Sequence, residues 1–262
     1  MAATWSGGRG GDEPRPARVL QTVETFTATV SRMRVLTHDV REIALRLVEP
    51  PAIAFAPGQF VSFEIERPNG RVPATRAYSI ASAPHQHHAI DLVVNRVPGG
   101  TGSDYLFGLR EGAQTAFTGP VGSFVLHDSS RDLLFVATGT GIAPFRSMLW
   151  SLADRSSSRR ISLLWGLRSE SDVYYQDELT RLRERLRYFS VVTTLSRPTG
   201  GWCGAVGRVS SLVEARITDV ANLEVFLCGN GAMIRDVRDI LRGKGLCPIR
   251  VEQYYGEPHT SG

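Results

Sequence analysis

Residues 76–79 read Arg-Ala-Tyr-Ser and gather three chemistries in one short segment. Arg76 is a permanent cation whose planar fork of donors suits a pyrophosphate. Tyr78 is a flat aromatic with a polar tip, suited to covering one face of a ring system. Ser79 is a small hydroxyl that donates and accepts at a ring edge. Alternation along a strand sends Arg76 and Tyr78 to one face and Ala77 and Ser79 to the other, unless the strand bends. Taken alone, the tetrapeptide fits an ordinary strand with a surface arginine and a packed tyrosine equally well.

Other segments answer it. Gly99-Gly100-Thr101-Gly102 runs directly into an expected helix, Ser103–Leu109. A glycine turn feeding a helix N-terminus offers free N–H groups and a favourable dipole to a phosphate. A flexible loop with an ordinary serine cap is the commoner meaning of such a turn in isolation. Thr138-Gly139-Thr140-Gly141 follows an apolar strand and is dinucleotide-like, although Pro144 stands where the common fingerprint has its third glycine. Another strand ends in Ser196-Arg197, and Arg208 follows. Two arginines and a serine suit the 2′-phosphate that separates NADP from NAD; a solvated loop with surface arginines is the alternative. Cys228, before Gly229, stands at a strand end where a soft, small side chain could touch a nicotinamide ring, or is a buried structural cysteine. His85, His87 and His88 share one turn with no carboxylate or cysteine at ligand spacing, so they read as solvated loop and no metal is expected.

These residues need a frame, and the rhythm of the chain supplies two. Phe26–Val35, Val40–Leu47, Phe60–Ile65, Thr75–Ala81 and Ile90–Arg96 alternate as strands, with turn chemistry at Pro57-Gly58 and Pro68-Asn69-Gly70. Such spacing predicts an antiparallel β-barrel or sandwich over residues 20–128. From Arg131 strands alternate with helices: strands Leu133–Ala137, Ile161–Trp165, Phe189–Leu195, Leu223–Cys228 and Ile249–Tyr255, and helices Phe145–Ala153, Leu179–Leu186 and Ala232–Arg242, the last ended by Gly243. This predicts an α/β domain with a parallel sheet over residues 131–256, with ligands at the carboxyl ends of its strands, where Gly166-Leu167-Arg168 also falls. Residues 1–19, rich in Gly, Arg and Pro, read as a disordered tail, and residues 257–262 as a second tail.

Composition narrows the partners. With 262 residues and 42% hydrophobic content there is enough chain for two cores. The net charge of +4 comes almost wholly from arginine, since Lys244 is the only lysine. Without a basic run interleaved with aromatics, a phosphorylated cofactor or an acidic protein is favoured over nucleic acid. Cys203, Cys228 and Cys247 lack the spacing of a zinc site, an iron–sulfur cluster or a disulfide framework. No stretch approaches the ~20 apolar residues of a membrane span, and no apolar leader is visible, so a cytoplasmic, monomeric protein is expected.

The ordered set of Arg76-Ala77-Tyr78-Ser79, Gly100-Thr101-Gly102-Ser103, Thr138–Pro144 and Cys228-Gly229 resembles the ferredoxin–NADP reductase family of flavoproteins, over roughly residues 22–256. The resemblance implies a β-barrel that binds FAD followed by an α/β domain that binds NADPH or NADH. It implies that Arg76 holds the FAD pyrophosphate, Tyr78 stacks on the isoalloxazine and Ser79 bonds its N5–C4 edge. Val93 and Asn95 would line the flavin and ribose, and Gly100, Thr101, Gly102 and Ser103 would cradle phosphates. Thr138, Thr140, Gly141, Arg168, Ser196, Arg197, Arg208 and Gly229 would meet the nicotinamide nucleotide, with Cys228 near the nicotinamide C4. Val251-Glu252-Gln253-Tyr254 is similar to the family's Glu-x-Tyr ending, in which the tyrosine shields the flavin; because the chain continues, that place falls to Tyr254 or Tyr255, or the extra residues cover the adenosine side. Ser79, Cys228 and Glu252 are the expected residues of the reacting centre. The implied activity is hydride transfer from NADPH or NADH to FAD, then single electrons to an acidic ferredoxin or flavodoxin. Two alternatives stay open: an NADH-dependent reductase component of an oxygenase or other multi-protein redox system, and a flavin relay or sensor subunit without turnover of its own.

Overall fold

A computed structural model describes residues 23–67 and 71–255, which form two sheets in succession along the chain. Both expected tails and the Pro68-Asn69-Gly70 turn lie outside the described residues.

The first sheet is antiparallel. Its strands are β1 (Glu24–Val35), β2 (Val40–Glu49), β3 (Phe60–Ile65), β4 (Ala74–Ser79), β5 (Ala89–Asn95) and β6 (Gln114–Val121), in the order β4-β3-β6-β1-β2-β5. Period-two alternation turns Phe26, Ala28 and Val30 of β1 inward. A register shift after Val30 bends β1 against β2. The sheet curls into a barrel whose edges β4 and β5 are joined, among the described residues, only by the single Ile80–Leu92 bridge just past the end of β4, and are otherwise unpaired with each other. Inside, Phe117 lies 5.4 Å from Phe26 and 5.7 Å from Phe63, ring to ring. Strand β6 is absent from the sequence expectation because Thr118-Gly119-Pro120 carries turn chemistry. Buried Thr115 and Phe117 nevertheless alternate inward, and the strand lies between β3 and β1. Helix α1 (Thr101–Gly108) starts two residues before the expected Ser103 and packs against β4 and β5, across the gap between them.

The second sheet is parallel throughout. Strands β7 (Asp132–Thr138), β8 (Ile161–Leu167), β9 (Phe189–Leu195), β10 (Ala205–Val206), β11 (Leu223–Asn230) and β12 (Ile249–Tyr255) lie in the order β10-β9-β8-β7-β11-β12. Leu133–Ala137 is buried residue by residue because helices cover both faces. Helices α2 (Ile142–Asp154) and α3 (Gln176–Arg185) pack on one face, α4 (Val209–Arg216) and α5 (Gly231–Lys244) on the other. Several details differ from expectation, among them the two-residue strand β10, which no expected strand covers. Helix α4 hides behind a Ser210-Ser211 pair that weakens its apolar stripe, and α5 continues through Gly243 to end at Gly245, whose φ of 142° no other residue adopts readily. From β7 the chain runs outward through β8 to β10, then returns on the other side with β11 and β12. That reversal opens a crevice at the carboxyl ends of β7 and β11.

The halves share a core. Val40, Ala81, Val93 and Phe124 of the barrel side join Phe135, Phe145 and Phe226 in one cluster. Phe145 stacks on Phe135 at 4.8 Å, with Phe124 at 5.9 Å. Fully burying one such side chain contributes roughly 1.5–3 kcal/mol, so this contact fixes the two sheets relative to one another. Among the described residues no helix is long and apolar enough to cross a membrane.

Candidate functional site

Two cavities open side by side where the sheets meet. The first, about 480 Å³, follows the free edge of β4, so residues from both faces of that strand reach it: Arg76 and Tyr78 as well as Ala77 and Ser79. Val93 and Asn95 of β5 form its far wall, and the start of α1 its end. Asn95 is held by its amide, which donates to Asp39 Oδ2 at 3.0 Å and to the Asp39 carbonyl at 3.2 Å.

At the start of α1 no side chain caps the helix, so its first N–H groups are left for a ligand. The Ser103 hydroxyl is engaged within the turn, accepting from Val97 N at 3.0 Å, so Ser103 offers an anion its N–H and not its side chain. Gly102 packs so closely on Tyr78 and the stem of Arg76 that any side chain there would collide with both.

The floor joins residues far apart in the chain. Tyr254 donates from its hydroxyl to Ser79 Oγ at 2.7 Å, and Ser79 donates to Glu252 Oε2 at 2.8 Å. Cys228 stands opposite Glu252 in the β11–β12 register, its Sγ 3.9 Å from the same carboxylate oxygen. Burial pushes the Glu252 carboxyl up to about 7, against hydrogen bonds from Ser79 and Cys228 that pull it down. Burial, then the neighbouring carboxylate, raises the Cys228 thiol well above its ordinary range, so it keeps its proton. Cys228 is fully buried and lines neither cavity.

The second cavity, about 720 Å³, occupies the crevice of the parallel sheet and shares Asn95 and Thr140 with the first. Thr138, Gly139, Gly229 and Asn230 form its inner end, and Arg168, Ser196 and Arg208 lie along it. Arg197 is absent from this lining; its backbone N–H bonds the Arg168 carbonyl at 2.7 Å. The Asn230 N–H donates to Thr138 Oγ1 at 3.0 Å, tying β11 to β7. Gly229, at φ 133°, lies so close to Thr138 that a side chain would run into it. The side chain of Tyr255 is outside the described residues.

Two features escaped the sequence reading. His85 does meet a carboxylate, with Nδ1 2.7 Å from Asp154 Oδ2, because α2 brings Asp154 across from far along the chain. A buried polar cluster around Arg146 and Tyr175 carried no local motif at all.

Comparison with known proteins agrees with this geometry. Residues 27–126 match the family described as oxidoreductase FAD-binding domain, and residues 135–239 the one described as oxidoreductase NAD-binding domain. Ferredoxin–NADP reductase B of Sorangium cellulosum is 38% identical over 244 residues, which cover 88% of this chain and 98% of that protein. The chain belongs to the ferredoxin–NADP reductase family. The toluate 1,2-dioxygenase electron transfer component of Pseudomonas putida is 27% identical over 90% of this chain and 69% of its own length. Among solved structures, the Amycolatopsis cytochrome P450 reductase GcoB superposes with a TM-score of 0.82 at 28% identity, covering 90% of this chain and 72% of that one.

The protein is therefore a FAD-dependent NAD(P)H oxidoreductase that passes electrons to a carrier. Its residues fit the flavin: an uncapped helix start faces an arginine, and a glycine keeps the approach to Tyr78 and Arg76 clear of any side chain.

Proposed function

We propose that the first cavity holds FAD, the second holds NADPH or NADH, and Ser79 with Glu252 manages the proton between them. The observation that carries this reading is the Tyr254–Ser79–Glu252 hydrogen-bond chain on the floor of the first cavity, beside the two residues that both cavities share. FAD, when bound, takes up a hydride at N5 and releases its two electrons one at a time.

Every other task falls to the chain. Arg76 and the N–H groups of Thr101, Gly102 and Ser103 hold the pyrophosphate, Gly100 closes the turn before them with its own N–H bonded to the Val97 carbonyl at 2.8 Å, and Tyr78, Val93 and Asn95 fix the ring and ribose. Thr138, Thr140 and Gly229 hold the nicotinamide half of the nucleotide, Gly141 packs closely against the Cys228 carbonyl behind them, and Arg168, Ser196 and Arg208 hold the nucleotide's phosphates, with Arg197 supporting them from the strand end. Tyr254 covers the flavin from the nicotinamide side. Below about pH 7 Glu252 carries a proton and donates to Ser79, which turns the Ser79 hydroxyl toward the cavity as a donor. Above about pH 7 the carboxylate draws that hydroxyl to itself. Cys228 keeps its proton and backs Glu252 from beneath.

NADPH is the donor favoured by Arg168, Ser196 and Arg208 together. NADH is the second reading, since Asp39, Asp172 and Asp236 line the same cavity and carboxylates repel a 2′-phosphate. The acceptor is an acidic ferredoxin-type or flavodoxin-type protein, drawn by the arginine surplus of a chain with net charge +4. The test is to record the visible spectrum of the purified protein and add NADPH and NADH separately without oxygen. A flavin spectrum that bleaches faster with NADPH supports the reading. Bleaching with NADH alone discards the 2′-phosphate assignment, and a colourless protein that takes up no FAD refutes the whole. Electron transfer to an acidic carrier should also slow steeply as salt rises.

A further inference from the structure

Away from both cavities, one buried cation ties the halves of the molecule together. Arg146, on α2, reaches into the barrel: Nη1 donates to the Ala81 carbonyl at 3.0 Å and to Asp91 Oδ2 at 3.1 Å. Its Nε donates to Glu178 Oε1 on α3 at 2.7 Å, and Nη2 lies 3.8 Å from Glu42 Oε2 on β2. The guanidinium stands 5.2 Å over the ring of Tyr175, whose hydroxyl donates to Glu42 at 2.6 Å. Tyr175 holds φ at 60°, a left-handed backbone that bulky residues avoid and that persists only where surrounding contacts enforce it.

Both ends of this cluster lead toward the two cavities. On one side Ala81 follows Ser79 by two residues and is bonded to β5 through the Asp91 carbonyl. On the other, Tyr174 packs edge-on against Tyr175 at 5.0 Å, and its hydroxyl donates to the Gly139 carbonyl at 3.2 Å. Trp165 donates to that same carbonyl at 2.9 Å. A continuous line of packed and hydrogen-bonded groups thus runs from the Ser79 segment to the glycine turn of the nucleotide cavity.

We propose that Arg146 and Tyr175 form a strut that sets the spacing of the two cavities, making both positioning residues for hydride transfer. The inference rests on the function proposed above. Only an arginine fork reaches a carbonyl and carboxylates from both halves at once; a lysine offers one point charge. Small errors of placement cost a transfer reaction heavily even when both reactants remain bound.

The experiment is anaerobic rapid mixing of flavin-loaded wild type, Arg146→Lys and Tyr175→Phe with excess reduced nucleotide. FAD content, nucleotide dissociation constant, limiting bleaching rate and the long-wavelength absorbance of stacked nicotinamide and flavin are read together. The limiting rate should fall on the order of tenfold in Arg146→Lys and about threefold in Tyr175→Phe. The stacking band should weaken, while FAD content and nucleotide affinity stay within about twofold of wild type. Limiting rates equal to wild type, or losses fully explained by weaker binding of either cofactor, overturn the strut. Should Arg146→Lys not fold, Tyr175→Phe decides alone. A wild type that fails to bleach would instead overturn the proposed function.

Discussion

The two cavities meet at Asn95 and Thr140 yet are built on opposite plans. The first is lined by side chains that bind one another: Ser79, Glu252 and Tyr254 form one hydrogen-bonded chain, and Asn95 is held by Asp39. The second is shaped by backbone at strand ends, with exposed Arg168, Ser196 and Arg208 along its length. The difference matches what each is proposed to hold. A resident cofactor is served by groups fixed before it arrives, whereas a nucleotide that enters and leaves is met by exposed charges that speed its encounter and stay partly hydrated when it binds.

That contrast can be broken at either cavity. The largest effect belongs to the first: Gly102→Val places a side chain against Tyr78 and Arg76, so the protein should purify folded by circular dichroism but without flavin colour. Retention of FAD at wild-type stoichiometry would show that the approach at Gly102 is not needed. Next comes Ser79→Ala, which removes one hydroxyl and should slow the limiting rate of flavin bleaching about 100-fold with FAD still bound. A normal rate in stopped-flow measurements would count against the role of Ser79. The second cavity should answer more mildly. Arg208→Ala should raise KM for NADPH about tenfold and leave NADH unchanged; equal effects on both nucleotides would remove the 2′-phosphate assignment.

The same contrast explains what could be read from the chain. The strand-end turn at Thr138–Gly141 and the glycine entry to α1 were legible because each is local: glycine, a strand before it and a helix after it. Strand β6 was not, because its Thr-Gly-Pro run carries turn chemistry while its pairing with β1 and β3 is a long-range event. Ser79 and Glu252 could each be singled out, but their hydrogen bond joins residues 173 positions apart, and no spacing rule reports it. Arg146 was wholly hidden. It lies on an amphipathic helix among many arginines, and only folding reveals that it is buried against carboxylates from both halves.

One titration tests the central claim, that Ser79 and Glu252 share a proton at the junction of the cavities. Burial holds the Glu252 carboxyl at about 7, so it is protonated on the acid side and ionised on the alkaline side. The Ser79 hydroxyl is then free to donate into the flavin cavity only below that value. The limiting rate of anaerobic flavin bleaching at saturating nucleotide should fall several-fold as pH rises through about 7 in the wild type. In Glu252→Gln, which cannot ionise, the profile should be flat across the same range. A Glu252→Gln enzyme that keeps the wild-type pH dependence would contradict the account.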